Sequence, residues 1–222
     1  MKGMQTVRTM LLLLRHEWLR EWRQGQWLAG SLLYLAGGIF AAQLMLRPAG
    51  PLAWVAMYWL LMLFASVYVL SRTYLGLSNG LLMYYKVATP GVTLWMIKVL
   101  TGTLSLWVLM ALATILMGVW MGYPIQNTGI FILTQLLAGP LLATVLTLVS
   151  AMARGAANPA QLMPVLGFPL LVPCLLLVHR LSRMALDGLE WSVVWPYAGA
   201  MAALLVMILA LGTLLFPFLW RD

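Results

Sequence analysis

The side chains best suited to chemistry stand in the stretch HRLSRMALDGLEW, residues 179–191. The imidazole of His179 could supply one ligand to a metal-bearing molecule, and the guanidinium groups of Arg180 and Arg183 could pair with its carboxylates. The stretch is also typical of a membrane interface, either as a loop or as a short surface helix, where basic side chains reach out to water. One histidine offers a single axial ligand, so the interfacial interpretation is favoured.

Other sets of chemically active residues are missing from the sequence. The five acidic residues are Glu17, Glu21, Asp187, Glu190 and Asp222, all outside the long apolar stretches. Ion-driven transporters usually carry such groups near the middle of the membrane, so this class and the intramembrane aspartyl proteases are excluded. A Ser–His hydrolase is excluded because neither histidine lies deep in an apolar stretch. The sequence contains no HExxH motif and no GxxxxGK[ST] phosphate loop. We therefore predict no catalytic residue, no bound metal and no ATP hydrolysis by this chain.

The composition is that of a protein embedded in a membrane. Of its 222 residues, 64% are hydrophobic and 8% are charged, and no soluble domain of this size could bury so much apolar surface. The net charge of +8 does not indicate nucleic-acid binding, because the bases stand between apolar stretches and not on one polar face. Cys174 is the single cysteine, which excludes an internal disulfide and favours a small buried hydrophobic residue.

Six apolar stretches are long enough to cross the hydrocarbon core as helices, which takes about 20 residues. They are residues 27–46, 51–70, 94–123, 130–152, 162–181 and 193–220. The turn RPAG at 47–50 joins the first two spans into a hairpin. The predicted fold class is therefore all-α, a polytopic membrane protein with six transmembrane helices.

Lysine and arginine orient the chain by the positive-inside rule. One side of the membrane receives the bases Lys2, Arg8, Arg15, Arg20, Arg23, Arg72, Lys86, Lys98, Arg154 and Arg221. The other side receives Arg47, Arg180 and Arg183. We predict that the first side is cytoplasmic and that both termini lie there.

Residues 1–26 are predicted to form a separate amphipathic helix, followed by the transmembrane domain at 27–222. The apolar stripe of this N-terminal helix, at spacings of three and four, is formed by Val7, Leu11, Leu14, Trp18 and Trp22. Such a helix lies in the inner membrane interface. It either only anchors the first span or is an elbow helix that also contacts a cytoplasmic partner, and the sequence favours the anchor.

The loop between the second and third spans, SNGLLMYYKVATPG, predicts a short interfacial helix, here called the coupling segment (residues 78–91). Asn79 is a favoured helix N-cap, and Pro90 disfavours helix at the residue before it. Its apolar side is formed by Leu81, Leu82 and Tyr85. A chain without ion-coupling groups or a phosphate loop is either passive or driven by a partner. The segment therefore has the position of a coupling helix that docks into an ATPase subunit, and a helix of no special role is the alternative.

The residues predicted to make the docking contact are Asn79, Gly80, Leu81, Leu82, Tyr84, Tyr85, Lys86 and Pro90.

Prolines and glycines inside the spans each have two interpretations. Pro164, Pro169 and Pro173 make the fifth span either a deformable helix that moves with the ATP state or a helix with fixed kinks, and fixed kinks are favoured. Gly118 and Gly122 form a GxxxG motif in the third span. The motif predicts a close helix contact, within the chain or with a second copy.

Four elements together resemble the haem exporter protein B (CcmB-like) family, the B-type permease subunit of the cytochrome c maturation system. They are LLLLRHEWLREWR near the N-terminus, the six spans, SNGLLMYYKVATPGVTLWMIKVLTG after the second span, and GFPLLVPCLLL in the fifth. In the family, the loop after the second span has an acidic–Gly start, an apolar helix, prolines and a lysine that opens the third span. The matching positions here are Asn79-Gly80, 81–85, Pro90 and Lys98. Ser78 and Asn79 are neutral where the family is often acidic.

The resemblance implies a permease subunit of an ABC-type complex in the bacterial inner membrane. Its partners would be a cytoplasmic ABC ATPase that binds ATP, a haem-handling membrane protein, a small membrane subunit and a periplasmic haem chaperone. ATP hydrolysis would drive haem export or the release of the haem-loaded chaperone. Haem would reach this chain through the complex, with His179, Arg180 and Arg183 as outer-face contacts for haem or a partner. Two alternatives stay open: an exporter permease for a lipid or drug, and a membrane scaffold that moves no solute.

Overall fold

The computed structural model describes residues 26–45, 50–75, 80, 83, 85, 90–154 and 159–219. In these ranges the long elements are six α-helices, with no strand. The helices are α1 Gln26–Met45, α2 Pro51–Leu75, α3 Gly91–Met121, α4 Thr128–Arg154, α5 Pro159–Leu186 and α6 Trp191–Leu219. The predicted all-α class is confirmed. The amphipathic helix predicted at 1–26 lies, apart from Gln26, outside the described residues.

The helices agree with the predicted spans in number and order. Helices α2 to α6 are each long and apolar enough to cross a membrane, and α1 contributes a shorter apolar helix, Gly30–Met45, in the described part of the chain. The largest difference from the predicted bounds is in α5, which runs without a break through its prolines and continues to Leu186. Residues 179–186 are therefore the last two turns of α5 and not a loop or a separate surface helix.

Helix α4 occupies the centre of the bundle. It packs against α2, α3, α5 and α6, and these four helices also contact one another in a ring around it. Every residue from Leu141 to Ser150 is buried as a result. Helix α1 packs on the outside, against α2 and α3. The centre of the bundle that one chain forms is thus filled by side chains of α4.

The helices present their ends at two opposite faces of the bundle. One face carries the C-terminal ends of α2 and α4 and the start of α3, and the other carries the loop from α3 to α4 and the turn from α5 to α6. We call the first the inner end and the second the outer end, following the orientation predicted from the lysines and arginines.

Three glycines allow large side chains to lie directly against a neighbouring helix. A Cβ atom at Gly102 of α3 would lie 2.7 Å from Leu70 Cδ2, and one at Gly139 of α4 would lie 2.5 Å from Trp107 Nε1. A Cβ at Gly212 of α6 would overlap the indole ring of Trp95. Contacts this close exclude any residue with a side chain unless its neighbour moves.

The GxxxG motif does not mark such a contact within the described chain. A Cβ at Gly118 would meet only the Tyr123 ring, at 4.0 Å. Gly122 lies beyond the end of α3 with a φ of 81°, where it turns the chain toward α4. The prediction of a close contact inside the chain is therefore wrong for this motif, because the second glycine serves a turn. Contact with a second copy stays a prediction.

Two bases that the positive-inside rule assigns to the cytoplasmic side lie inside helices. Arg72 belongs to α2, and Lys98 lies two turns into α3 with a side chain that is only 4% exposed. Both residues stand near the inner ends of their helices, so the side of the membrane assigned to each is unchanged. Burial of a lysine at this depth requires polar contacts around its ammonium group.

Candidate functional site

The coupling segment is described at Gly80, Met83, Tyr85 and Pro90, and the first three have helical backbone. The other predicted docking residues lie outside the described residues: Asn79, Leu81, Leu82, Tyr84 and Lys86. Pro90 is the N-cap of α3, which begins directly at Gly91, and its carbonyl accepts the N–H of residue 94 at 3.2 Å. Helix α3 therefore begins directly after the proline.

The described side chains of the coupling segment point in opposite directions. Tyr85 is only 3% exposed, whereas Met83 is 71% exposed and Gly80 is exposed as well. Two residues that are two positions apart lie roughly 200° apart around a helix, so one of them faces outward when the other faces the bundle. The face formed by Gly80 and Met83 is accessible, and the Tyr85 face is occupied by this chain itself.

Tyr85 belongs to a cluster that we call the inner aromatic cluster, formed by Tyr74, Tyr85, Trp95 and Phe216. The Phe216 ring lies 5.7 Å from the ring of Tyr74 and 6.4 Å from that of Trp95, centroid to centroid. Its members come from α2, the coupling segment, α3 and α6. The cluster thus joins the coupling segment to three membrane helices.

Hydrogen bonds tie the last turn of α2 to α4 beside this cluster. The Ser150 hydroxyl donates to the Ser71 carbonyl at 3.0 Å and accepts the Tyr74 N–H at 3.3 Å. The Arg154 guanidinium donates to the Tyr74 carbonyl. The last carbonyls of a helix lack intrahelical partners, and a basic side chain is a favourable donor to them. We call this set of hydrogen bonds the inner clamp. The sequence indicated for Arg154 only a contribution to the positive charge of the cytoplasmic side.

At the outer end, His179 is exposed at the rim of an open groove between α2 and α5. Trp59 lines the groove, and its indole N–H donates to the Ser182 hydroxyl at 2.7 Å, which bridges the two helices. The other lining residues are Val55, Ala56, Leu60, Leu63 and Leu175.

The two arginines near His179 face different neighbours. The Arg180 guanidinium lies 5.0 Å from the centroid of the Tyr197 ring of α6, a cation–π contact. Arg183 lies 4.0 Å from the Asp187 carboxylate, with both side chains more than half exposed. The structure therefore separates the predicted outer-face residues: His179 stands at the groove and Arg180 against α6.

The sequence did not indicate a partly buried polar group in the outer half of the bundle, which we call the outer polar group. The Gln135 amide donates to the Tyr58 hydroxyl at 2.8 Å and to the Thr114 hydroxyl at 2.7 Å, and the Tyr58 hydroxyl donates to the Met110 carbonyl at 3.1 Å. These bonds join α2, α3 and α4. Polar residues inside apolar spans are the signal that would have found the group, because hydrogen bonds hold membrane helices together.

Comparison with known proteins supports one family. A search of curated proteins gave no match. The family model described as CcmB protein matches residues 11–219, which is nearly the whole chain and includes all six described helices. The chain therefore belongs to the CcmB family, the membrane permease component of the haem exporter ABC system of cytochrome c biogenesis.

Proposed function

We propose that this chain couples ATP hydrolysis by a separate cytoplasmic subunit to haem export or to release of a haem-loaded chaperone. The coupling segment is the docking element for that ATPase. The observation that carries the proposal is the opposite exposure of Met83 and Tyr85, which stand two positions apart in a helical segment. One side is open for a partner, and the other is packed into the membrane domain.

The inner aromatic cluster supports the transmission of force. A flexible loop would absorb a push from the ATPase, but a segment anchored by Tyr85 passes it to the rings of Tyr74, Trp95 and Phe216. Protein interiors are packed like crystals, so such a displacement moves the neighbouring helices and does not compress the cluster. The inner clamp then connects the end of α2 to the central helix α4.

This proposal changes the role that the sequence assigns to one residue. Tyr85 was predicted to fill a groove on the ATPase, but a side chain buried in its own chain is not available for that contact. We assign Tyr85 to the anchor and Met83 to the docking face. The predicted contacts of Tyr84 and Lys86 remain part of the proposal as made from the sequence.

The test is co-purification of the ATPase subunit with the full chain in detergent. Met83→Asp places a charge in the docking face and should weaken retention of the ATPase at least about tenfold, since a charge left unpaired in an interface costs more than the 1.4 kcal/mol that a factor of ten represents. Met45→Asp is the matched control, because Met45 is as exposed as Met83 but lies at the outer end.

Tyr85 variants separate anchoring from docking. Tyr85→Ala removes a buried ring and should lower the stability of the chain by about 3–5 kcal/mol, the usual cost of truncating a buried aromatic residue. Tyr85→Phe keeps the ring and should retain the ATPase. The proposal is wrong if Met83→Asp holds the ATPase as tightly as the unchanged chain, or if no ATPase accompanies the unchanged chain.

A further inference from the structure

The groove between α2 and α5 takes no part in the proposed docking of the ATPase. It lies at the opposite end of the bundle from the coupling segment. Its lining is apolar, with Leu60 and Leu63 from α2 and Leu175 from α5, and the Trp59 indole forms part of it. The Trp59–Ser182 hydrogen bond fixes the indole and holds the two helices beside each other.

One edge of the groove carries polar groups. His179 stands at the rim, and Arg183 follows four residues later, about 6 Å nearer the outer end on nearly the same side of α5. The ion pair of Arg183 with Asp187 is long and more than half exposed, so it leaves the guanidinium available to another carboxylate. In the part of the chain that the structure describes, no hydrogen bond or ion pair occupies the His179 imidazole.

This arrangement matches the chemistry of one kind of ligand. An apolar groove suits a flat or chain-like apolar body, an imidazole binds a metal ion, and a guanidinium group binds a carboxylate. Haem combines these three features, because its ring is apolar, its iron accepts a histidine and its propionates are carboxylates. A phospholipid would use the apolar groove and Arg183 but would leave the imidazole without a role.

We propose that the groove is a haem-contact site, with the iron bound by His179 and a propionate paired with Arg183. The proposal rests on the proposed function, in which haem is the substrate of the complex. A single histidine ligand in an open groove holds haem less firmly than two ligands in a closed pocket. Such binding suits a contact from which haem must leave again.

The test is titration of the purified full chain in detergent with haemin, followed by the Soret band. Histidine coordination shifts this band, whereas haemin dissolved in the micelle does not respond to histidine variants. His179→Ala should raise the dissociation constant at least about tenfold, since removal of a group that only supports a metal ligand already costs 10- to 100-fold. The other histidine of the sequence provides the matched control, and His16→Ala should bind haemin like the unchanged chain.

Two further measurements examine the groove itself. Ala56 is exposed and lines it, so Ala56→Trp fills the groove without altering His179 or the bundle core and should weaken haemin binding. Metal-free protoporphyrin should bind more weakly than haemin to the unchanged chain, because it lacks the iron that His179 coordinates.

Three outcomes would overturn the site. They are an unchanged Soret shift in His179→Ala, an equal loss in His16→Ala, and equal affinity for haemin and metal-free protoporphyrin. The second would locate the ligand elsewhere, and the third would indicate an apolar or lipid-type groove. None of them concerns the ATPase, whose co-purification is measured separately, so this inference can fail while the proposed function stands.

Discussion

Replacing Gly212 of α6 with alanine tests the packing on which the coupling proposal depends. The added Cβ would lie 2.5 Å from Trp95 Cη2 and 2.9 Å from Cε2, whereas carbon atoms in contact are normally 3.5–4.0 Å apart. Trp95 is fully buried, so its indole moves only if the inner aromatic cluster moves with it. Forcing an extra methyl group into a packed core costs about 1–3 kcal/mol.

The matched control lies on the same helix. Gly199 has no atom within 4 Å of the position that a Cβ would occupy. Gly199→Ala and Gly212→Ala change helix propensity by the same amount, so the difference between the two variants isolates the overlap with Trp95. We expect Gly212→Ala to be less stable than Gly199→Ala by about 1–3 kcal/mol. At about 2–4 °C per kcal/mol for a chain of this size, its Tm should be roughly 2–12 °C lower.

The assay is thermal unfolding of both purified variants in the same detergent, followed by loss of the monodisperse peak in size-exclusion chromatography. ATPase retention is measured in parallel, and Gly212→Ala should retain less ATPase than Gly199→Ala because Tyr85 loses its packing partners. If Gly212→Ala melts at or above Gly199→Ala, the close packing of α3 on α6 at the inner end is refuted.

Two further predictions concern the outer polar group and the orientation. Gln135→Leu removes an amide that joins three helices. It should lower stability in the same thermal assay by about 0.6 kcal/mol and at most about 1.7 kcal/mol, the average and the maximum for hydrogen bonds between membrane helices. A cysteine introduced at Ser78 should be shielded from an impermeant thiol reagent in intact cells, whereas one at Asp187 should react. Asp187 is preferable to its neighbour Gly188, whose positive φ disfavours other residues, and the native Cys174 is buried. The opposite labelling pattern would reverse the orientation.

The number and order of the helices could be predicted because lipid leaves the chain little choice. In the hydrocarbon core every backbone N–H and C=O must be satisfied within the protein, so a run of about 20 apolar residues becomes a helix. Prolines stand at three of the helix starts: Pro51 begins α2, Pro90 precedes α3 directly, and Pro159 begins α5. These signals are local, so they can be read from the sequence without knowing which helices pack against each other.

The arrangement of the helices could not be predicted from the same signals. Helices α4 and α5 have nearly the same mean hydropathy, yet 72% of the most apolar window of α4 is buried, against 29% for α5. A side chain that faces lipid and one that faces another helix are equally apolar, so hydropathy does not identify the central helix.

Which side of the coupling segment faces the bundle could not be predicted for a related reason. Tyr84 and Tyr85 are chemically identical neighbours, and the residues that bury Tyr85 come from distant parts of the chain, Trp95 and Phe216. Gln135, Tyr58 and Thr114 are uncharged, so the pattern of charged residues along the chain does not reveal the outer polar group.

The central position of α4 restricts how haem could move past this subunit. Because α4 fills the centre of the described bundle, we expect haem in the proposed scheme to pass along the surface of the chain, where a partner can form the other wall. Helix α2 connects the two surfaces involved. Its inner end is held by the inner clamp at Ser71 and Tyr74, and its outer half forms the wall of the groove at Trp59. A 25-residue helix is about 38 Å long and moves as a unit, so a displacement at the docking end reaches the groove. The Trp59–Ser182 hydrogen bond joins α2 to α5 beside the groove, so such a displacement would act on it.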